Sequence, residues 1–303
     1  MKHLACHIVS LLLIVVPIFS FSQSYKKMWK DVEQASRQSL PQTACKRLDN
    51  IISVARQDNN SVQMLKALMS RLWFAQDISP DSAKAILPTV EKEAYRQNNK
   101  TDRCVWHMAL GCLYLNVETT ISVENRQKIT SAFKTATDNV EIMAKTPSTD
   151  YLPLLTKGEN SNIYGNDMLS VVFPFAARKL KQLHTPTADS LARDIMKRQT
   201  DRYRSENKLE ATFLSMLDSA AIVGNPSPDF YKEMAKRHAD LPLVGELCLR
   251  LAETGNDSTT YNLAIATLKK FPDCHHAPAI KNIISRLTQP SIHIYTNNSS
   301  VYP

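Results

Sequence analysis

Apolar residues recur three and four positions apart along almost the whole chain, which is the spacing of one face of an α-helix. The chain has 303 residues and only six glycines, and this scarcity disfavours glycine-rich phosphate loops and turn-rich β-sandwiches. We therefore expect an all-α protein. The predicted helices cover residues 24–38, 41–56, 62–74, 80–94, 104–117, 126–145, 168–183, 189–203, 208–222, 228–238, 242–253, 259–271 and 277–287.

The most apolar of these helices is Cys104–Val117, in which only His107 and Asn116 interrupt a run of apolar or small residues. A helix that is apolar on all sides lies inside a protein. Its fourteen residues are too few to cross a bilayer, which takes about 20. We expect this helix at the packing centre of the first half of the chain, with Gly111 allowing a neighbouring helix to approach closely.

The first six helices form three predicted pairs, and the first helix of each pair carries a tryptophan: Trp29, Trp73 or Trp106. Spacings of 44 and 33 residues separate them, compared with a period of about 34 residues in tetratricopeptide repeats. The segment Leu110–Tyr114 also reproduces the L-G-x-x-Y part of that repeat's signature, although the strict tryptophan position falls on His107. The predicted fold is an αα-hairpin solenoid of tetratricopeptide-like type.

The two ends of the chain differ from the helical part, which we divide into three hairpins (23–145) and a further helical array (146–288). Residues 1–22 have the basic start, apolar run and small-residue cleavage site of a signal peptide. They predict an exported protein, periplasmic or secreted, with no later membrane span. Ser291–Tyr295 alternates like a β-strand. Because a lone strand is unstable, we expect residues 289–303 to begin a missing β-domain or to form a tail, as in a truncated or split product.

Basic residues exceed acidic ones, with a net charge of +8, but they are scattered along the chain. We interpret the one local cluster as a solvated helix face. Because an exported protein rarely meets nucleic acid, we expect no nucleic-acid partner, and an anionic surface or acidic protein is the alternative. The cluster consists of Arg193, Lys197, Arg198, Arg202 and Arg204.

Five of the six cysteines follow the predicted signal peptide. Cys104 and Cys112 lie eight residues apart on one predicted helix, about 12 Å along its axis, so they cannot bridge each other. We interpret most of the five as small buried hydrophobic residues. They do not form a disulfide framework.

The sequence contains none of the common zinc-protease, nucleophile-elbow or nucleotide-binding motifs. Asp273–His276 is the one cluster of soft metal ligands, and we interpret it as an exposed turn. His107 is expected to be a hydrogen-bonded core histidine. The carboxylate pairs on predicted helices are interpreted as solvated faces: Glu91 with Glu93, and Asp189 with Asp194. We predict no catalytic, cofactor-binding or metal-binding residues, and hence no enzyme.

Taken in chain order, several segments resemble one family, the large bacterial alpha-2-macroglobulins of Bacteroidetes type. The resemblance is to their N-terminal helical region, and it extends over the whole chain after the signal peptide. Its best match is at the end of the chain. The segments that carry it are Tyr25–Trp29, Leu40–Pro41, Lys66–Leu68, Arg71–Leu72, Tyr151–Leu155, Asn166–Leu169, Lys269–Pro272, Asn282–Leu287, Gln289–Ile294 and Tyr302–Pro303.

This resemblance implies a link to periplasmic protease trapping, which the family performs with β-sandwich domains, a bait region and often a thioester. None of these occurs in this chain, so no functional residue is carried over. We expect a non-enzymatic, exported protein-interaction module without inhibitory domains. Its partner would be an unidentified envelope protein or the protein's own missing β-domains. The alternatives are a stand-alone tetratricopeptide-like envelope scaffold that binds a peptide or protein and, more remotely, a helical envelope hydrolase.

Overall fold

A computed structural model describes residues 24–117, 122–156, 158, 161–224, 226–255 and 257–289. The described residues are helical and contain no sheet, which confirms the all-α class. Two 3₁₀ helices, Ser148–Leu154 and Pro242–Val244, join the α-helices. The α-helices are α1 (24–37), α2 (Pro41–Gln57), α3 (Ser61–Ile78), α4 (Pro80–Lys84), α5 (Leu87–Arg96), α6 (Lys100–Val117), α7 (Val123–Ala136), α8 (Val140–Lys145), α9 (Ser161–Tyr164), α10 (Leu169–Lys181), α11 (Pro186–Ser205), α12 (Leu209–Val223), α13 (Pro228–Arg237), α14 (Gly245–Glu253), α15 (Asp257–Lys270) and α16 (Ala277–Thr288).

The described residues form two compact units, the first ending at Glu206 and the second beginning at Asn207. Within the part that the structure describes, none of the helices combines the length and the apolar character that a membrane crossing requires. The predicted signal peptide (1–22) and the predicted strand (Ser291–Tyr295) lie outside the described residues.

Helix α6 contains the apolar segment predicted from the sequence, and from Cys104 to Leu115 all its side chains are buried or half-buried. It packs against α3, α5, α7, α8 and α10. The contact with α7 depends on Gly111, because a Cβ atom added there would lie 2.9 Å from two ring atoms of Phe133. Phe133 is itself fully buried. The predicted close approach at Gly111 is therefore confirmed.

The predicted helix 80–94 is wrong in one respect, since the structure has two helices there, α4 and α5. Proline has no N–H to donate and disfavours a helical conformation at the residue before it. Pro88 consequently sits in the first turn of α5, where no intrahelical donor is needed.

The predicted helix 126–145 is also two helices, α7 and α8, with a turn at residues 137–139. The buried hydroxyl of Thr137 donates to the carbonyl of Phe133 one turn earlier, at 2.9 Å. The carbonyl of Thr137 accepts a hydrogen bond from the guanidinium of Arg198 on α11, at 2.6 Å. A side chain from α11 thus satisfies a backbone group that the helix end leaves without a helical partner.

The connection between α8 and α10 is closed at its base by an antiparallel bridge between Pro147 and Asp167. Within it, Tyr151 is buried, and its hydroxyl donates to a carboxylate oxygen of Asp102 on α6 at 2.7 Å. The long connection between α8 and α10 is therefore anchored to the central helix by a tyrosine.

In the second unit, α14, α15 and α16 pack together around Cys248, Ala264 and Ile280. On α14, Arg250 forms ion pairs with Asp218 of α12 at 2.8 Å and with Glu246 at 2.9 Å. Gly255 follows the end of α14 with a φ of +71°. This is the left-handed conformation that a glycine just after a helix end often adopts.

Replacing Gly111 with Leu should lower the free energy of unfolding by about 1–3 kcal/mol, because the new side chain overpacks against Phe133. Urea denaturation would measure the change. Gly158→Leu is the matched control, since no atom lies within 4 Å of a Cβ placed there. Equal stabilities of the two variants would show that α6 and α7 do not meet at Gly111.

Candidate functional site

The largest exposed aromatic group on α3 is Trp73, whose surface is 58% accessible. Leu40, just before α2, is 45% accessible, and Ile78, at the end of α3, is 39% accessible. The ring of Phe74 packs edge-on against the Trp73 ring with 4.8 Å between centroids. We call Leu40, Trp73, Phe74 and Ile78 the Trp73 surface.

Trp73 is one of the apolar residues of its helix in the sequence, but the structure places it outside the buried stripe of that helix. The buried stripe runs through Leu65, Leu68 and Leu72, one position away from Trp73. Neighbours on a helix surface are three and four residues apart. Those of Trp73 on its C-terminal side are the polar Gln76 and Asp77, a signal that could have placed this tryptophan on the outer face.

A pocket of about 320 Å³ opens beside Trp73, between the end of α1 and the second half of α3. Asp77 is the one charged residue among its described lining residues. A tryptophan ring, a neighbouring proline and a single carboxylate can hold an apolar group together with a cation. The described lining residues are Ser36, Ser39, Leu40, Pro41, Trp73, Phe74 and Asp77.

A second pocket, of about 370 Å³, is lined mainly by polar side chains where α6 meets the segment after α8. The hydroxyls of Thr101 and Thr146 lie 3.0 Å apart there. Burial, followed by the hydrogen bond to Asp102, raises the pKa of Tyr151 far above its ordinary value. Because Tyr151 stays protonated, it acts as a structural donor and supplies no base.

His107 is buried on α6, and its Nδ1 lies 2.9 Å from the carbonyl oxygen of Arg103. A carbonyl only accepts, so Nδ1 carries the proton and donates. Burial lowers the pKa of His107 and the charge of Arg103 acts in the same direction, while this hydrogen bond and Asp138 oppose them. The ring also packs edge-on against Tyr95, with centroids 5.2 Å apart. His107 is a hydrogen-bonded core histidine, as predicted.

The Asp273–His276 segment is only partly the exposed turn that we predicted. Asp273 and His275 are exposed, whereas His276 is buried at the start of α16, with its Nε2 3.4 Å from Glu246. The first turn of α14 covers His276, which the local sequence could not indicate. Among the residues that the structure describes, no three histidine, cysteine or carboxylate side chains are grouped to hold a metal ion.

The two carboxylate pairs have tertiary partners, so the prediction of simple solvated faces is wrong for three of the four residues. Glu93 is buried and pairs with Arg56 on α2 at 3.0 Å. Glu91 accepts a hydrogen bond from Tyr114 at 2.6 Å, and Asp189 pairs with Lys181 at 2.9 Å. Asp194 is exposed and pairs with Arg198 on its own helix. Each carboxylate thus has a structural bond.

The basic cluster on α11 is likewise only partly a solvated face. Arg193, Lys197 and Arg204 are exposed. Arg202 is largely buried and pairs with Glu141 of α8 at 2.8 Å and with Glu206 at 2.6 Å. The ion pair between Arg202 and Glu141 and the hydrogen bond from Arg198 to the backbone at the end of α7 hold α11 against α8 and the end of α7.

The chain matches no known family model, no curated protein and no solved structure in comparisons with each. A function can therefore be inferred only from the surfaces and contacts of the chain itself, of which the Trp73 surface is the most distinctive.

The structural role of His107 can be tested through pH. Its pKa is lowered by folding, so the unfolded chain binds the proton more readily and stability is lost as pH falls below the unfolded value of about 6.5. The stability lost between about pH 7.5 and about pH 5.5 should be smaller in His107→Phe than in the wild type.

Urea denaturation at the two pH values would measure this loss. His275→Phe is the control, because it removes an exposed histidine of the second unit. If His107→Phe and the wild type lost the same stability, His107 would not be buried in its neutral form.

Proposed function

We propose that this chain is a non-enzymatic, exported helical-repeat module that binds an extended segment of another envelope protein through the Trp73 surface. The observation that carries the proposal is the exposed Trp73 beside a pocket whose one charged described lining residue is Asp77. Exposed aromatic side chains of this size are enriched among the residues that dominate binding at protein interfaces.

The contacts between helices support a tetratricopeptide-like stack in the first unit. Helices adjacent in the chain pack together, as α2 does with α3 and α6 with α7. The first helices of the three predicted pairs are also linked. The indole of Trp29 on α1 donates to Gln63 of α3, and the indole of Trp106 on α6 donates to Ser61 of α3, both at 2.7 Å. Stacked first helices create the extended binding surface of such repeats.

The chemistry of the pocket defines the partner. The ring of Trp73 and the side chain of Leu40 would pack on an apolar side chain of the partner, and the carboxylate of Asp77 would pair with an adjacent lysine or arginine. The apolar contact would supply most of the binding energy, because an exposed ion pair contributes only about 0–1 kcal/mol. The charge would chiefly select which segments bind.

The resemblance to the helical region of bacterial macroglobulins supports two parts of this proposal, the location in the envelope and the binding of a protein partner. Export would place the module in the envelope, and a role beside protease-trapping domains requires contacts with protein chains. Under this proposal the family's inhibitory chemistry belongs to other domains. Binding to the β-domains of the protein itself would use the same surface and is the competing outcome.

The proposal predicts that the purified protein selects peptides from a random display library, and that the selected peptides share an apolar residue next to lysine or arginine. Trp73→Ala should weaken their binding at least tenfold, since this corresponds to about 1.4 kcal/mol and truncation of a dominant interface residue costs about 2 kcal/mol or more. Isothermal titration with one selected peptide would measure the loss.

Tyr95→Ala is the matched control, because Tyr95 is an exposed aromatic residue of the same unit outside the Trp73 surface. Mass spectrometry should recover the bound peptide intact, whereas cleavage would favour the hydrolase alternative. The proposal fails if no peptide is selected, or if Trp73→Ala binds the selected peptides as tightly as the wild type.

A further inference from the structure

The second unit holds two cysteines at one packing site. Cys248 lies on α14 and is fully buried in the cluster with Ala264 and Ile280. Cys274 lies in the turn between α15 and α16 and packs against the same cluster while retaining partial exposure. Both thiols are reduced in this structure.

Gly245 places the Cys274 sulfur beside α14, the helix that carries Cys248. The Sγ of Cys274 lies 3.6 Å from a Cβ placed on Gly245, and Cδ1 of Ile280 lies 3.1 Å from the same point. Cys248 follows Gly245 by three residues on α14. Side chains with this spacing are neighbours on a helix surface, with about 5–6 Å between their Cβ atoms. The Cys274 sulfur therefore lies one helical turn from Cys248, on the face that contacts Ile280.

We propose that Cys248 and Cys274 form a disulfide bond when the protein meets a disulfide oxidant. The bond would join the first half of α14 to the turn before α16. Rotation of the Cys274 side chain, in a turn whose neighbours Asp273 and His275 are exposed, would bring its sulfur toward Cys248. This site goes beyond the proposed binding function, and it depends on the proposed export only for its occurrence in the cell, where secreted and periplasmic proteins meet such oxidants.

The chemistry is thiol–disulfide exchange with oxidised glutathione or a comparable disulfide. The thiolate of Cys274 attacks one sulfur of the oxidant, forms a mixed disulfide and releases one reduced glutathione. The thiolate of Cys248 then attacks the Cys274 sulfur and releases the second. Two protein thiols lose two electrons and two protons in total, and the oxidant gains both.

The order of the two steps follows from burial. Burial raises the pKa of Cys248 to about 11, and a thiol must lose its proton to attack. Cys274 is partly exposed, so it should react first, with Cys248 completing the bond. The remaining described cysteines, Cys45, Cys104 and Cys112, belong to the first unit.

The test uses the full chain, equilibrated with a mixture of reduced and oxidised glutathione and then trapped in acid for peptide mapping by mass spectrometry. We expect a mass lower by two hydrogens and one cross-linked pair of peptides, containing Cys248 and Cys274. Calorimetry should show that oxidation raises the melting temperature of the second unit by on the order of 5–10 °C, because the bridge closes the loop between Cys248 and Cys274 in a small unit.

Two variants identify the pair. Cys274→Ser should abolish both the cross-link and the rise in melting temperature, while Cys45→Ser, in the first unit, should leave both intact. The proposal is overturned if Cys248 and Cys274 stay reduced, if Cys274 keeps a bound glutathione that Cys248 does not displace, or if other cysteines pair. Because peptide binding at Trp73 is measured separately, failure of the disulfide leaves the proposed function unaffected.

Discussion

The first unit is organised around the burial of α6, and that burial depends on the contact between Gly111 and Phe133. Any side chain at Gly111 would meet the Phe133 ring at 2.9 Å, so α6 and α7 can approach this closely only at a residue without a Cβ atom. Each large apolar side chain buried along α6 contributes about 1.5–3 kcal/mol. These contributions are gained only if neighbours cover all sides of the helix, as α3, α5, α7, α8 and α10 do.

Polar bonds at the edges of this core determine how the surrounding segments are placed. Three tyrosine hydroxyls donate to carboxylates on other segments: Tyr25 to Asp58, Tyr114 to Glu91 and Tyr151 to Asp102, at 2.6–2.7 Å. Burial and the neighbouring carboxylate raise the pKa of each tyrosine, so all three remain donors at neutral pH. Trp73, by contrast, is an aromatic side chain left exposed at the surface.

The sequence predicted well which segments are helical and where most helices begin and end, because helical spacing and proline positions are local signals. It also indicated the burial of α6 and the role of Gly111. It failed where a distant segment decides the outcome. Glu93 is buried because Arg56 pairs with it, and His276 is buried because α14 covers it. The exposure of Trp73, in contrast, has a local cause: it follows the buried Leu72, but its neighbours on the helix surface are mostly polar.

The exposure of Trp73 beside the core built on α6 is the feature on which the proposed function most depends. It can be tested directly by the fluorescence of Trp73, obtained as the difference between wild type and Trp73→Phe and recorded with acrylamide as quencher. Trp73 is 58% accessible and Trp106 is 1% accessible. We predict that the Trp73 component emits at long wavelength and is readily quenched, while the Trp106 component, obtained in the same way from Trp106→Phe, is protected. A Trp73 component that emits at short wavelength and resists the quencher would contradict this exposure.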